Sequence, residues 1–164
     1  MQIAVLSDTH LSTVSGPLQR AFEETLCRVD AVLHCGDVTE ETVWSYLNSH
    51  AAFSSVCGNM DAGRWAAALP RTRLLELGGY VVGLLHGDGL ELGAGSKRLA
   101  EIFPRKPDLI CLGHSHRRVW VRDDNGVRIL NPGSFSLPKD GRAGFALVDL
   151  PADGEPGIEW IDVA

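Results

Sequence analysis

A chain of 164 residues is long enough for one domain with a sizeable hydrophobic core. With 45% apolar and 22% charged residues the balance is that of an ordinary globular protein. The formal net charge of −6 disfavours a sequence-independent grip on a nucleic acid polymer, which needs a basic face.

The chain enters an apolar run at once, Q-I-A-V-L, with no basic leader and no long apolar stretch, so the cytosol is the expected compartment and no membrane span is expected. Ile3 to Leu6 is too short for a helix and reads as a buried strand. From Pro17 to Cys27 the spacing of Leu18, Ala21, Phe22 and Leu26 predicts a helix, with proline suited to its first turn. Ala31 to His34 is a second strand. Thr39, followed by Glu40 and Glu41, has the chemistry of a helix start. Ala51 to Cys57 makes a third strand, and the alternation implies a parallel α/β arrangement.

The second half changes character. Arg73 to Leu77 and Tyr80 to Leu85, joined by Gly78-Gly79, predict a hairpin. Ser96 to Phe103 reads as helical and Leu109 to Leu112 as a buried strand. A second hairpin is expected from Val119 to Arg122 and Val127 to Leu130, with strands at Phe145 to Leu150 and Ile158 to Val163 closing the chain. With no repeat or linker, the whole of 1–164 is expected to form a single domain. The expected architecture is two β-sheets face to face with helices outside, a four-layer α-β-β-α sandwich.

The polar residues fall at strand ends. S-D-T-H follows the first strand, H-C-G-D the second, C-G-N-M-D the third, L-L-H-G-D the fifth, and L-G-H-S-H the strand near 110. These deliver Asp8, His10, Asp37, Asn59, His86, His114 and His116. Ligand sites of α/β sheets gather at the carboxyl ends of strands, so the seven side chains are placed to converge. Asp8 and His10 would share one face of an extended segment. Gly113 suggests a turn that aims His114 and His116 differently.

Each motif alone is weak: most D-x-H pairs are surface turns, and a single histidine at a strand end usually finds an ordinary hydrogen-bond partner. Together they are not. Four of the six histidines lie at these ends, and seven buried polar side chains in one crevice are costly unless paired or bound to metal. Seven ligands exceed one tetrahedral ion and suit two ions roughly 3.5–4 Å apart, with Asp37 as the natural bridge. Two divalent ions less the charges of Asp8 and Asp37 leave about +2 to face a phosphate. The donors are nitrogen and oxygen, compatible with Mn, Fe, Co, Ni or Zn.

In this order, D-T-H, G-D-V, G-N-M-D, L-H-G and G-H-S-H resemble the calcineurin-like metallophosphoesterase superfamily, most closely its small YfcE-type phosphodiesterase branch; the N-P-G-S at 131–134 extends the likeness. The resemblance implies a metal-dependent phosphodiesterase, with hydroxide between two divalent ions, Mn²⁺ favoured, attacking a small phosphodiester. It implies that Asp8, His10, Asp37 and His116 hold one metal and that Asp37 bridges to a second completed by Asn59, His86 and His114. Asn59 would also touch the phosphate. Met60 departs from the superfamily, much of which has a histidine there that acts on the leaving group. A thioether cannot donate a proton, and Asp61 is the nearby substitute. A phosphomonoesterase or nucleotide-processing enzyme with the same site, or a non-catalytic scaffold of the kind a retromer subunit of this fold represents, are the alternatives. A homo-oligomer is left open.

Other features read as bland. His34 is expected to be structural. Cys27, Cys35, Cys57 and Cys111 are far apart and read as reduced thiols. G-A-G-S-K at 93–97 lacks the order of a phosphate-binding loop, and Ser134 lacks a nucleophile setting.

Overall fold

The structure is a computed structural model that describes residues 1–90 and 99–163. Its strands form two mixed sheets of five. In the first, β1 (Gln2–Leu6), β2 (Ala31–His34) and β3 (Phe53–Ser55) run parallel. Here β9 (Gly144–Asp149) pairs antiparallel with β1, and β10 (Gly157–Asp162) antiparallel with β9. The second sheet contains β4 (Thr72–Leu77), β5 (Tyr80–Leu85), β6 (Leu109–Cys111), β7 (Arg118–Arg122) and β8 (Arg128–Pro132), in the order β4-β5-β6-β8-β7. Both expected hairpins, β4–β5 and β7–β8, are antiparallel neighbours.

Side-chain alternation assigns the layers. Ile3 and Val5 of β1, Ala31 and Leu33 of β2, and Ala146 and Val148 of β9 pack against Val82, Leu84, Leu109, Cys111 and Leu130 of the second sheet. The intervening residues Ala4, Leu6, Val32, Phe145 and Leu147 face outward to Leu18, Ala21, Val43 and Leu47 of the helices. On the far side Leu85, Ile110 and Ile129 pack with Leu99 and Phe103. The result is the four-layer sandwich. Each fully buried Leu or Ile here contributes about 1.5–3 kcal/mol from burial, and Ile3, Leu33, Leu84 and Leu109 are all of this kind.

The helices are shorter than their patterns. In α1 (Gly16–Glu24), Ser15 Oγ accepts the Leu18 N–H at 3.3 Å and proline occupies the first turn. The chain then tightens into a 3₁₀ turn, Leu26–Arg28, so the helix does not reach Cys27. At the start of α2 (Glu41–Leu47) the N-cap position falls on Glu40, not Thr39, and no side chain makes a capping hydrogen bond there. Thr39 has a left-handed backbone (φ +76°) and its hydroxyl donates to the Val38 carbonyl at 2.7 Å, so it cannot serve as the cap. The third strand is only Phe53–Ser55. An additional helix, α3 (Gly63–Ala67), spans five residues, too few to show an amphipathic stripe. The helix expected over Ser96–Phe103 begins outside the described residues, as does the 93–97 segment; Leu99 and Ala100 are helical. All four cysteines are free, with Cys35 and Cys111 buried and Cys27 exposed.

Candidate metal centre

The segments after β1, β2, β3, β5 and β6 meet at one end of the two sheets, and all seven expected side chains join a continuous chain of contacts. His116 Nε2 lies 3.1 Å from Asp8 Oδ1, which lies 3.8 Å from His10 Nε2. His10 Nε2 is 3.6 Å from Asp37 Oδ2, and the same oxygen is 3.3 Å from His86 Nε2. His86 Nε2 is 3.0 Å from Asn59 Oδ1, which is 3.1 Å from His114 Nδ1. One carboxylate oxygen of Asp37 therefore sits between two imidazoles. Two donor groups emerge within this chain, Asp8–His10–His116 and Asp8–Asp37–His86, and they share Asp8. Asp8, Asp37 and His86 are buried, whereas Asn59 and His114 are exposed and mark the mouth.

The backbone reaches this arrangement by a route the spacing does not announce. Among the described residues, six non-glycine positions have positive φ: Asp8 (51°), His10 (43°), Asp37 (58°), Thr39 (76°), His114 (65°) and His116 (57°). Five of them are candidate ligands. Asp8 and His10 thus do not share the face of an extended strand; each is turned by a left-handed kink. Such conformations cost about 1–3 kcal/mol each and persist only where the surroundings over-determine them. Here they do. The Asp8 N–H donates to the Gly36 carbonyl at 3.0 Å and the His10 N–H to that of Asp37 at 3.3 Å. Ser134 Oγ donates to the Asp8 carbonyl at 2.6 Å and Ser136 Oγ to that of Thr9 at 2.7 Å.

Two glycines let the loops touch. A Cβ on Gly58 would lie 2.1 Å from Asp37 Oδ1, and one on Gly113 would lie 1.8 Å from Ser7 Oγ and 2.7 Å from Asp8 Oδ2. No other residue fits at either position.

The electrostatics suit cations. Burial alone would raise the Asp8 carboxyl, but His10, the Ser7 hydroxyl and the charges of His86 and His116 outweigh it and hold Asp8 below the usual range. Asp37 behaves alike: burial is outweighed by His86, the Met60 N–H and His10. For His86 burial opposes the charged form, yet Asp37 and Asp8 push its pKa up. Two histidines are also oriented from behind. Nδ1 of His86 donates to the Cys35 carbonyl at 2.8 Å, and Nδ1 of His116 to the Leu137 carbonyl at 2.7 Å. Each Nε2 lone pair is left facing the carboxylates, the tautomer a metal-binding imidazole needs. Asp8 Oδ1 and His10 Nε2 are buried and have no hydrogen-bond partner. Unpaired buried atoms of this kind are costly, and divalent ions would satisfy them. The residues present fit divalent metal ions.

Asp61 is not placed to protonate a leaving group. Its carboxylate accepts three backbone N–H groups: Asp37 at 3.0 Å, Gly58 at 2.8 Å and Thr39 at 2.8 Å. Both oxygens are committed, and the residue works as a clamp between the second and third ligand loops. Arg71 braces the same loop by donating to the Gly58 carbonyl at 3.1 Å while paired with Asp88. Within N-P-G-S, Asn131 Nδ2 donates to the Gly113 carbonyl at 2.6 Å and Asn131 Oδ1 accepts the Gly133 N–H at 2.9 Å. The segment thus ties the G-H-S-H loop down. His34 is wholly buried; Nδ1 accepts the Gly36 N–H at 3.1 Å, so Nε2 donates to Thr9 Oγ1 at 2.6 Å. Burial drives its pKa down to about 4, against the pull of Asp61 and Asp8. Asp61, His34 and Asn131 stood inside quoted motifs, but their partners are backbone groups or distant side chains, so their supporting roles were not readable from the motifs.

The chain is similar to several known proteins. The calcineurin-like phosphoesterase superfamily domain matches residues 1–153. A probable metallophosphoesterase of Methanocaldococcus jannaschii is 33% identical over 141 residues, covering 85% of this chain and 70% of the relative. In fold, the chain resembles a novel archaeal phosphodiesterase (TM-score 0.75, 22% identity, 98% of this chain and 100% of the other). It likewise resembles Vps29 of Entamoeba histolytica solved with Zn²⁺ (TM-score 0.73, 22% identity, 99% of each chain). The chain belongs to the calcineurin-like phosphoesterase superfamily, a family of metal-dependent phosphoester hydrolases.

Proposed function

We propose that the protein is a phosphodiesterase working with two divalent ions, Mn²⁺ favoured, on a small phosphodiester in the cytosol. The observation that carries this reading is the single oxygen of Asp37 between His10 and His86, from which it would serve the donors of both ions. Asp8, His10 and His116 would complete one ion's donors, and Asn59, His86 and His114 the other's. Bound ions would supply an acidified water and neutralise charge developing on the phosphoryl group.

The chain's own residues do the rest. Asp8 and Asp37 contribute two negative charges, too few to cancel two divalent ions, so the centre remains attractive to a phosphate. Exposed Asn59 is placed at the mouth, where its side-chain amide would donate to a phosphoryl oxygen. Met60 offers no proton and the Asp61 carboxylate is occupied, so neither assists the leaving group. General acid help is worth about 10²–10⁴-fold; without it, esters whose leaving oxygen departs unaided are favoured. The intact donor set speaks against a purely structural scaffold.

The test is hydrolysis by Mn²⁺-loaded protein of bis-p-nitrophenyl phosphate against p-nitrophenyl phosphate. Preference for the diester, abolished by chelation, is expected. Preference for the monoester would assign a phosphomonoesterase, and inactivity across several metals with intact folding would remove the enzymatic reading.

A further inference from the structure

Asn59 and His86 stand on the loops after β3 and β5, and among the described residues no backbone hydrogen bond joins one loop to the other. Their side chains do meet: His86 Nε2 lies 3.0 Å from Asn59 Oδ1 and 3.3 Å from Asp37 Oδ2. With Nδ1 of His86 donating to the Cys35 carbonyl, Nε2 is an acceptor, so three acceptor atoms converge. Facing acceptors with no donor between them are unfavourable, and their loops need a separate tether. Arg71, just ahead of β4, supplies one. Its Nη1 donates to the Gly58 carbonyl at 3.1 Å and its Nη2 pairs with the Asp88 carboxylate. Gly58 immediately precedes Asn59, and Asp88 lies two residues past His86. The Cys57 N–H donates to the Pro70 carbonyl at 2.9 Å, so the segment bearing Arg71 is itself fastened to the Asn59 loop.

We propose that Arg71, paired with Asp88, is a positioning residue, a strut that holds the Asn59 and His86 loops at the separation the second ion needs. The inference rests on the two-ion reading above. A guanidinium is planar and presents its donors in a fixed fork, so one side chain sets the spacing of two loops. The arginine side chain is 55% exposed, and a salt bridge in that setting contributes little to global stability. What it offers is geometry: donors held in place beforehand bind more tightly than donors that must be ordered on binding. Asp8, His10 and His116 make no contact with the strut, so the first ion does not depend on it. By charge alone a cation beside a metal centre would weaken binding, and removing it would help. The strut predicts the opposite sign.

The test is Mn²⁺ titration of the full chain, followed by calorimetry and by electron paramagnetic resonance. Arg71→Gln removes the strut and its charge; Arg71→Lys keeps the charge but has one nitrogen where the fork has two. In both, the first ion is expected to bind as in the wild type and the second to need about 10–100-fold more Mn²⁺. At Mn²⁺ levels that give the wild type the exchange-coupled spectrum of an ion pair, the variants should show the signal of an isolated ion. Their unfolding midpoints without added metal should stay near that of the wild type. Asp88→Asn, which loosens the strut from its other end, should also weaken the second ion alone. Tighter binding in Arg71→Gln with Arg71→Lys unchanged would show a charge effect and overturn the strut. So would equal weakening of both ions, or two ions bound by both variants as in the wild type. A wild type that takes up a single ion overturns the two-ion reading, and the strut with it.

Discussion

Asp37 and Asp61 hold each other's loops in a reciprocal clasp: Asp61 Oδ2 accepts the Asp37 N–H at 3.0 Å, while Asp37 Oδ1 accepts the N–H of Met60, the neighbour of Asp61, at 2.8 Å. The clasp fixes the left-handed turn at Asp37 and so the oxygen that faces His10 and His86. Asp61→Asn replaces one acceptor oxygen with a donor that confronts a backbone N–H. The variant is expected to bind Mn²⁺ about 10–100-fold more weakly and to lose about 1–3 kcal/mol of stability, measured by metal titration and denaturant unfolding. At saturating metal its loss of rate should be the same for esters with good and poor leaving groups. A loss that grows steeply for poor leaving groups would show that Asp61 donates a proton after all.

Gly113 is the second point at which the site depends on a missing atom. Gly113→Ala drives a methyl group into Ser7 Oγ and Asp8 Oδ2, both on the well-packed first loop. We expect a destabilisation of about 3 kcal/mol or more, seen as a lowered unfolding midpoint, together with loss of Mn²⁺ binding. Gly126→Ala, at a position where an added Cβ meets nothing within 4 Å, should retain metal binding and cost only the strain of a positive φ.

Ser134 is a hub. It donates to the Asp8 carbonyl at 2.6 Å and accepts the Leu137 N–H at 2.8 Å, so one hydroxyl joins the first loop to the segment that orients His116. Ser134→Ala removes no metal donor and no charge. It should nevertheless cost about 1–3 kcal/mol by leaving buried groups unpaired. Mn²⁺ affinity should fall with it, measured by calorimetric titration.

His34 sets a pH limit on the metal-free fold. Its pKa, ordinarily 6.5, is lowered to about 4 in the folded chain, chiefly by burial. Between these values the unfolded chain binds the proton and the folded one resists it, so stability rises with pH across the interval and falls as pH drops from about 6.5 toward 4. The change is of order 3 kcal/mol from this group. Denaturant midpoints measured through that window should show the slope, and His34→Gln, lower in absolute stability, should flatten it. Asp8 and Asp37, whose folded pKa values lie below 3.8, contribute stability above that value and lose it only at more acid pH.

What the sequence disclosed, and what it withheld, follows from how locally each feature is encoded. The strands alternate between two apolar environments, as Ile3/Val5 and Ala4/Leu6 do, and that pattern is readable residue by residue. Because ligands sit just past strand ends, the same pattern located Asp8, Asp37, His86 and His114. The turns themselves were not legible. Nothing in D-T-H distinguishes an extended pair from two left-handed residues, because the conformation is imposed by Gly36, Asp37 and Ser134 from distant segments. The work of Asp61 was hidden for a related reason: all three of its partners are backbone amides, which carry no sequence signature. α3 escaped notice because five residues are fewer than two turns.

The most direct measurement is anomalous diffraction from crystals of the protein loaded with Mn²⁺. Two peaks roughly 3.5–4 Å apart are predicted, one on each side of Asp37, with Asp8, His10 and His116 around the first and Asn59, His86 and His114 around the second. No peak in the crevice, or Mn²⁺ bound only elsewhere while these seven side chains keep their places, would contradict the account.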